Sequence, residues 1–290
     1  MNRIKKGFGQ CCLLLAITIV FTTNIQAEEN LNYFQVDGRY DYRTELLRLA
    51  LSYSDNVPQL VARPDMPVAR ALRLMQRGEI NGIVSLATSS EREENLLAIK
   101  IPIMAGILGM RVFLIHRDQQ LAFSKITNLI ELQSFVAGFG EHWGDLKILQ
   151  ENKLPVEPVA KYSSLFSMLN AKRFDYFPRG INEIFGEYEK HKNSLSNIVV
   201  EKHIAIYYPY PVYFFVTNED EALASLIRTG LKKSLVDGNF KALFLRHHSQ
   251  LLTALDFNNR LIFNLTNSEL PKDVSIENMD WWLKEESRIK

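Results

Sequence analysis

Cysteine is nearly absent. The 290 residues hold two, Cys11 and Cys12, and none follows. A chain that loses its first residues therefore has no disulfide, thiol nucleophile or thiolate metal site. The six histidines (His116, His142, His191, His203, His247, His248) lack the spacing of a zinc-binding helix. His247 and His248 are neighbours, so on a helix they point about 100° apart and chelate poorly. No Gly-x-Ser-x-Gly elbow occurs. Gly138-x-Gly140 stands alone, without the Lys and hydroxyl of a P-loop or the full dinucleotide fingerprint. There is no internal repeat, low-complexity tract or Pro/Ser-rich linker. Positive charge is also scarce. The first 27 residues carry three basic and no acidic side chains, which leaves 31 basic against 33 acidic, a formal −2. That body lacks the field a general nucleic-acid binder needs.

What is present begins with a short basic segment, Arg3, Lys5 and Lys6. The apolar run Cys11–Thr23 follows, then Ala27 before Glu28-Glu29. This is the layout of a secretory signal peptide cleaved after Ala27. The alternative is an uncleaved anchor, but the run falls short of the ~20 residues that span a bilayer. The cysteines open the run rather than follow it, which argues against lipidation. The working protein is expected outside the cytoplasm. At 47% hydrophobic and 23% charged, it can form a real core.

Short β-like runs alternate with amphipathic stretches, the pattern of an α/β fold. Leu31–Val36, Gln59–Ala62 and Ile80–Leu86 read as strands. Tyr42–Tyr53 reads as a helix, and so does the stretch with Val68, Ala71, Leu72 and Met75, capped by Asp65 and stopped by Gly78. Ile107–Ile115 is a longer strand. A second set runs through strands at Phe135–Gly138, Val156–Val159, Phe174–Phe177 and Ile198–Ile206. Helices are expected at Ile126–Leu132, Trp143–Glu151, Ser163–Asn170 and Ile181–Lys190. Val212–Thr217 is again β-like, and helix follows to about Leu255. The bracketing by Ile107–Ile115 and Val212–Thr217 predicts one lobe inserted in another: 28–113 with 218–290, and 114–217 between them. Two crossings would join the lobes around a cleft.

Three stretches carry a family resemblance. Gly78-Glu79-Ile80-Asn81-Gly82-Ile83-Val84-Ser85-Leu86-Ala87-Thr88-Ser89-Ser90-Glu91-Arg92 resembles the cleft motif of the type II periplasmic solute-binding proteins of family 3, which serve polar amino acid transporters. Val136–Trp143 resembles that family's strand, Gly-rich turn and helix start, and Arg173–Gly180 its second-lobe strand. The resemblance implies a two-lobed type II periplasmic binding protein fold. It gives Arg92 the grip on a ligand carboxylate, with the Ser85 and Thr88 hydroxyls nearby and backbone donors near Gly140. Asn81 replaces the usual Asp and Ala87 a hydroxyl residue. Where amino-acid binders carry an acid for the ligand ammonium, this chain has Arg179-Gly180. That reversal of charge favours an anionic solute, although Glu183, one turn on, still offers a carboxylate.

Each candidate has a plainer alternative. Arg92 grips an oxyanion or pairs with Glu91, Glu93 or Glu94. Arg179 lends a cation to a helix start or pairs with Glu183. Trp143 stacks on a ligand or belongs to the core. The stretch Tyr207–Tyr213 lines the cleft mouth or packs between lobes, and Trp281-Trp282 anchors the tail. The expected function is capture of a small carboxylate-bearing or anionic solute by a monomer without cofactor, with an ABC permease as partner. The alternative is a sensor that reports to a membrane receptor. A periplasmic enzyme on the same fold is least favoured.

Overall fold

The computed structural model describes residues 30–254 and 259–274. The expected export segment and Trp281-Trp282 lie outside these described residues. In chain order, β1 (Asn30–Tyr33), α1 (Asp41–Leu51), β2 (Gln59–Ala62), α2 (Val68–Gln76), β3 (Gly82–Ala87), α3 (Ser90–Asn95) and β4 (Leu97–Ile99) come first. Then follow β5 (Met110–His116), α4 (Gln120–Phe123), α5 (Leu129–Leu132), β6 (Ala137–Gly140), α6 (Leu146–Glu151) and β7 (Val156–Val159). They lead to α7 (Tyr162–Asn170), β8 (Tyr176–Gly180), α8 (Ile181–His191), β9 (Ile198–Val200), β10 (Ile204–Tyr207) and β11 (Val212–Val216). The described residues close with α9 (Glu221–Val236), α10 (Asn239–Ala254) and β12 (Leu261–Asn264).

The strands form two sheets. The first runs β2-β1-β3-β11-β4, and the second β12-β10-β5-β8-β6-β7 with β9 beside β5. In the first, β1 is parallel to β2 and β3, while β11 enters antiparallel between β3 and β4. Such sheets are covered on both faces, and the alternation along β5 shows how. Val112 and Leu114 join the large apolar cluster that also holds Leu31, Leu46 and Ile227, while Phe113 and Ile115 turn to a second cluster with Phe139 and Tyr176. On the first sheet, Ala71 and Met75 of α2 cover a third cluster with Val84 and Phe215.

The chain passes between sheets after β4 and again after β10. These passes touch at Gly109, where an added Cβ would lie 1.8 Å from the Tyr208 carbonyl oxygen. Only glycine fits that approach. A third passage follows α10, which packs with α9 on α1 in the first lobe, and β12 then pairs in parallel with β10 in the second. Sheet membership thus moves the expected borders. All of β5 belongs to the second sheet, β11 to the first, and β12 to the second rather than to a C-terminal part of the first. Apolar periodicity marks a strand without naming its partner, which is why this was not legible.

Three local expectations also differ. Pro67, not Asp65, stands at the N-cap of α2, and Asp65 is instead paired with Arg63 at 3.1 Å. The run Ile198–Ile206 breaks into β9 and β10 because the buried Glu201 carboxylate accepts hydrogen bonds from the backbone N–H of His203 (2.7 Å) and Ile204 (2.6 Å). The strand expected at Phe174–Phe177 starts later and extends to Gly180. Asp175, just before it, accepts from the Val136 N–H at 2.7 Å.

Candidate functional site

A cavity of about 540 Å³ opens between the lobes. The second lobe supplies Arg111, His142, Trp143, Gly144, Asp145, Tyr162, Arg179, Glu183 and Glu187, and the first supplies Arg39. The two central arginines rise from adjacent strands. Arg111 is on β5 and Arg179 on β8, paired through Val112 opposite Arg179 and Arg111 opposite Gly180. Their side chains are 11% and 5% exposed, and a buried guanidinium needs partners.

Both have them. The Arg179 fork donates from Nε and Nη2 to the two oxygens of Glu187, each at 2.6 Å. Its Nη2 is also 3.0 Å from Glu183. The same guanidinium lies over the Trp143 ring at 4.6 Å, Phe177 at 5.0 Å and Tyr162 at 5.6 Å. Arg111 donates to the Tyr208 hydroxyl at 2.7 Å and to Asp145, and Tyr208 in turn donates to Asp145. Burial opposes the Arg111 charge, but Asp145, Tyr208 and Glu183 outweigh it and raise its pKa. Arg39, held by Asp37 at 2.9 Å, feels Glu183 across the cleft; the bond to Asp37 first, and that charge more weakly, raise its pKa.

The first lobe presents a different face. Gln35 is buried, and its side-chain oxygen accepts from the Ser85 N–H at 2.7 Å and hydroxyl at 2.9 Å. Its amide donates to the Ser85 carbonyl, and Arg43 reaches that carbonyl at 3.2 Å. Arg43 Nε has no hydrogen-bond partner among the described residues, and burial lowers the Arg43 pKa. A small cavity of about 20 Å³ lies between these groups and Tyr40, whose ring sits 5.0 Å from the Arg43 guanidinium. Arg92 is anchored by donating to the Ala87 carbonyl at 2.6 Å. Ser89 caps its helix, α3. Thr88 is buried and donates to Glu93. Among the described residues, neither Arg43 nor Arg92 has a carboxylate at ion-pair distance.

The structure thus brings Trp143, Arg179 and Glu183 to one cavity wall. Gly140 lies beneath Trp143, where a Cβ would come within 2.4 Å of the indole. Ser85, Thr88 and Arg92 sit at the end of β3 and the start of α3 in the other lobe. Arg179 is not on a solvated helix-start loop. It is a buried strand residue with two carboxylates, and the cavity wall balances three arginines against Asp145, Glu183 and Glu187. The net-positive pocket expected from the sequence is therefore absent from this wall. Missed residues include Arg39, Arg43, Arg111, Gln35, Asp145, Tyr162 and Glu187. Two had a signal. Arg111 is a lone charge inside an apolar strand, and Arg43 lies one turn before the buried Leu46 and Leu47.

Among the described residues no group of three or more metal-ligating side chains occurs, and no helix is long and apolar enough to cross a membrane. No family model matches the chain, and no curated protein does. Solved structures do match. An ancestral arginine-binding protein bound to glutamine is 12% identical with a TM-score of 0.51, covering 75% of this chain and 96% of its own. A structure from work on glutathione import through GshT and the cystine ABC importer TcyBC of Streptococcus mutans is 13% identical, TM-score 0.51, covering 76% and 94%. An ancestral amino acid-binding protein, a precursor of cyclohexadienyl dehydratase, is 13% identical, TM-score 0.50, covering 75% and 93%. Most of these relatives are binding proteins, with one enzyme precursor among them. With two sheets, two lobes and a cleft between them, the chain has the fold of the type II periplasmic binding proteins.

Proposed function

We propose that this chain is an exported, two-lobed solute-binding protein that captures a small carboxylate-bearing solute in the inter-lobe cleft. The observation that carries the reading is the contrast between the arginines of the two lobes. The second lobe's charges are paired among themselves, whereas Arg43 and Arg92 at the end of β3 have no carboxylate of their own. Ligands of α/β sheets sit beyond the carboxyl ends of the strands, which is where these guanidinia are anchored. A solute carboxylate fits there, with Ser85 and Thr88 close by, while its other end meets the wall of Trp143 and Tyr162. Closure of the lobes buries the solute and strengthens these contacts.

Export rests on the basic, apolar and small-residue pattern of positions 1–27. Delivery to an ABC-type permease rests on the fold together with the link of the glutathione-import relative to an ABC importer. Binding without turnover is the reading the similar structures favour.

The test is thermal unfolding of the mature protein against amino acids, dicarboxylates and small peptides. A solute at a hundred times its Kd raises stability by about 2.7 kcal/mol. Arg92→Ala abolishes that shift and leaves the unliganded protein folded. An Arg92→Ala variant that binds as the wild type does removes the carboxylate assignment. Small-angle scattering checks closure, since a bound solute reduces the radius of gyration.

A further inference from the structure

Glu183 holds an unusual position. Its Oε2 lies between the two buried arginines, 3.0 Å from Arg179 Nη2 and 3.8 Å from Arg111 Nη1. Each arginine already has a more buried carboxylate of its own, Glu187 for Arg179 and Asp145 for Arg111, with side chains 15% and 7% exposed. Glu183 is the surplus anion, and its side chain is 42% exposed. Among the described residues, neither Arg111 Nη1 nor Arg179 Nη1 has a hydrogen-bond acceptor. Gly180 lies beside the group, where a Cβ would come within 3.0 Å of both Arg111 Nη1 and Glu183 Oε2. The missing Cβ leaves room for a carboxylate between the arginines.

We propose that Glu183 is a resident stand-in for a second ligand carboxylate. The two-arginine subsite on the second lobe accepts the distal carboxylate of the solute, and Glu183 swings toward solvent as it enters. This deepens the proposed function and rests on it: the solute carries one carboxylate for the first lobe and another for Arg111 and Arg179. A carboxylate already sits at the subsite, so its shape and charge suit the Nη2 side of Arg179 and the free Nη1 edge of Arg111. Glu183 lies in the first turn of helix α8, and an acid near a helix N-terminus remains favourable after a small outward turn. It also makes the subsite selective. A neutral solute end must leave Glu183 in place, and only an anion can exchange with it.

The experiment compares wild type, Glu183→Ala and Glu183→Gln by thermal unfolding and titration calorimetry. Its probes are acetate, glutarate and L-glutamine. Glu183→Ala opens the subsite, so acetate and glutarate stabilise it saturably, beyond chloride at equal ionic strength. Wild type responds far less, and Glu183→Gln, whose amide still fills the place, lies between them. Glutarate binds Glu183→Ala about tenfold tighter than wild type, which is about 1.4 kcal/mol. L-Glutamine, with a neutral distal amide, stays within about twofold. Acetate and glutarate that stabilise Glu183→Ala no better than wild type overturn the proposal. So does equal weakening of glutarate and L-glutamine, which assigns Glu183 to a direct ligand contact. The two readings fail separately. A solute that stabilises wild type while Glu183→Ala ignores both anions removes only the subsite. Anion binding by Glu183→Ala with no solute for wild type removes only the solute-binding function.

Discussion

Arg179 is the residue on which the second-lobe wall is built. It neutralises Glu187 through two hydrogen bonds and packs its flat face on Trp143. Removing one partner of a buried pair leaves the other charge stranded. Arg179→Ala is expected to cost about 3–5 kcal/mol in urea unfolding. Arg179→Lys keeps the charge but loses the fork and the stacked plane, so it should recover only part of that. His248 gives the chain a pH dependence. Burial first, then the nearby His247 and Arg43 charges, lower its pKa from 6.5 to about 4. Between these values the unfolded chain binds the proton and the folded one does not, so stability rises with pH. The contribution is complete above about pH 6.5 and is lost as pH falls toward 4. Urea midpoints measured across that window should slope for wild type and flatten for His248→Gln. An equal slope in both sinks the assignment.

Helix packing sets the next scale. On α9, a Cβ added at Gly230 would lie 1.8 Å from the Ala50 carbonyl oxygen of α1. The clash is with backbone, so the helices must separate. Gly230→Ala should destabilise by about 3 kcal/mol, at the upper end for an overpacked core. Gly186 in α8 is the control, because a Cβ there meets nothing within 4 Å. Gly186→Ala removes a flexible residue from a helix interior and should stabilise by about 0.5–1 kcal/mol. Opposite shifts in the two urea midpoints support this account of the packing. Elements of this kind were largely legible. Gln59–Ala62 and Val156–Val159 carry their own boundaries, and the apolar spacing in α2 buries Ala71 and Met75. The caps were less so, because Asp65 had Arg63 as a competing partner that only the folded turn reveals.

At the scale of the molecule, β12 ties the segment after α10 to the inserted lobe. Its parallel pairing with β10 covers an edge of the second sheet, and Phe263 and Leu265 add to that lobe's apolar cluster. Ending the chain before Asn259 should expose β10 and strip this packing. Calorimetry of the shortened protein should show a lower unfolding temperature, with aggregation on heating. An unchanged transition would mean that the second lobe stands without β12.

The sequence by itself determined the α/β alternation, the family resemblance and the place of Arg92 at the start of a helix after β3. Those features are local: periodicity and a motif each lie within a few residues. Tertiary structure alone decided the charge of the cleft. Asp145 and Arg111 are 34 positions apart, and Tyr208, which joins them, is 63 beyond Asp145. No spacing rule connects such residues, because their contact comes from the order of strands in a sheet. A buried arginine read alone is a positive site. Read with Glu187 and Glu183, it is half of an ion pair whose spare carboxylate marks where a ligand's own would go.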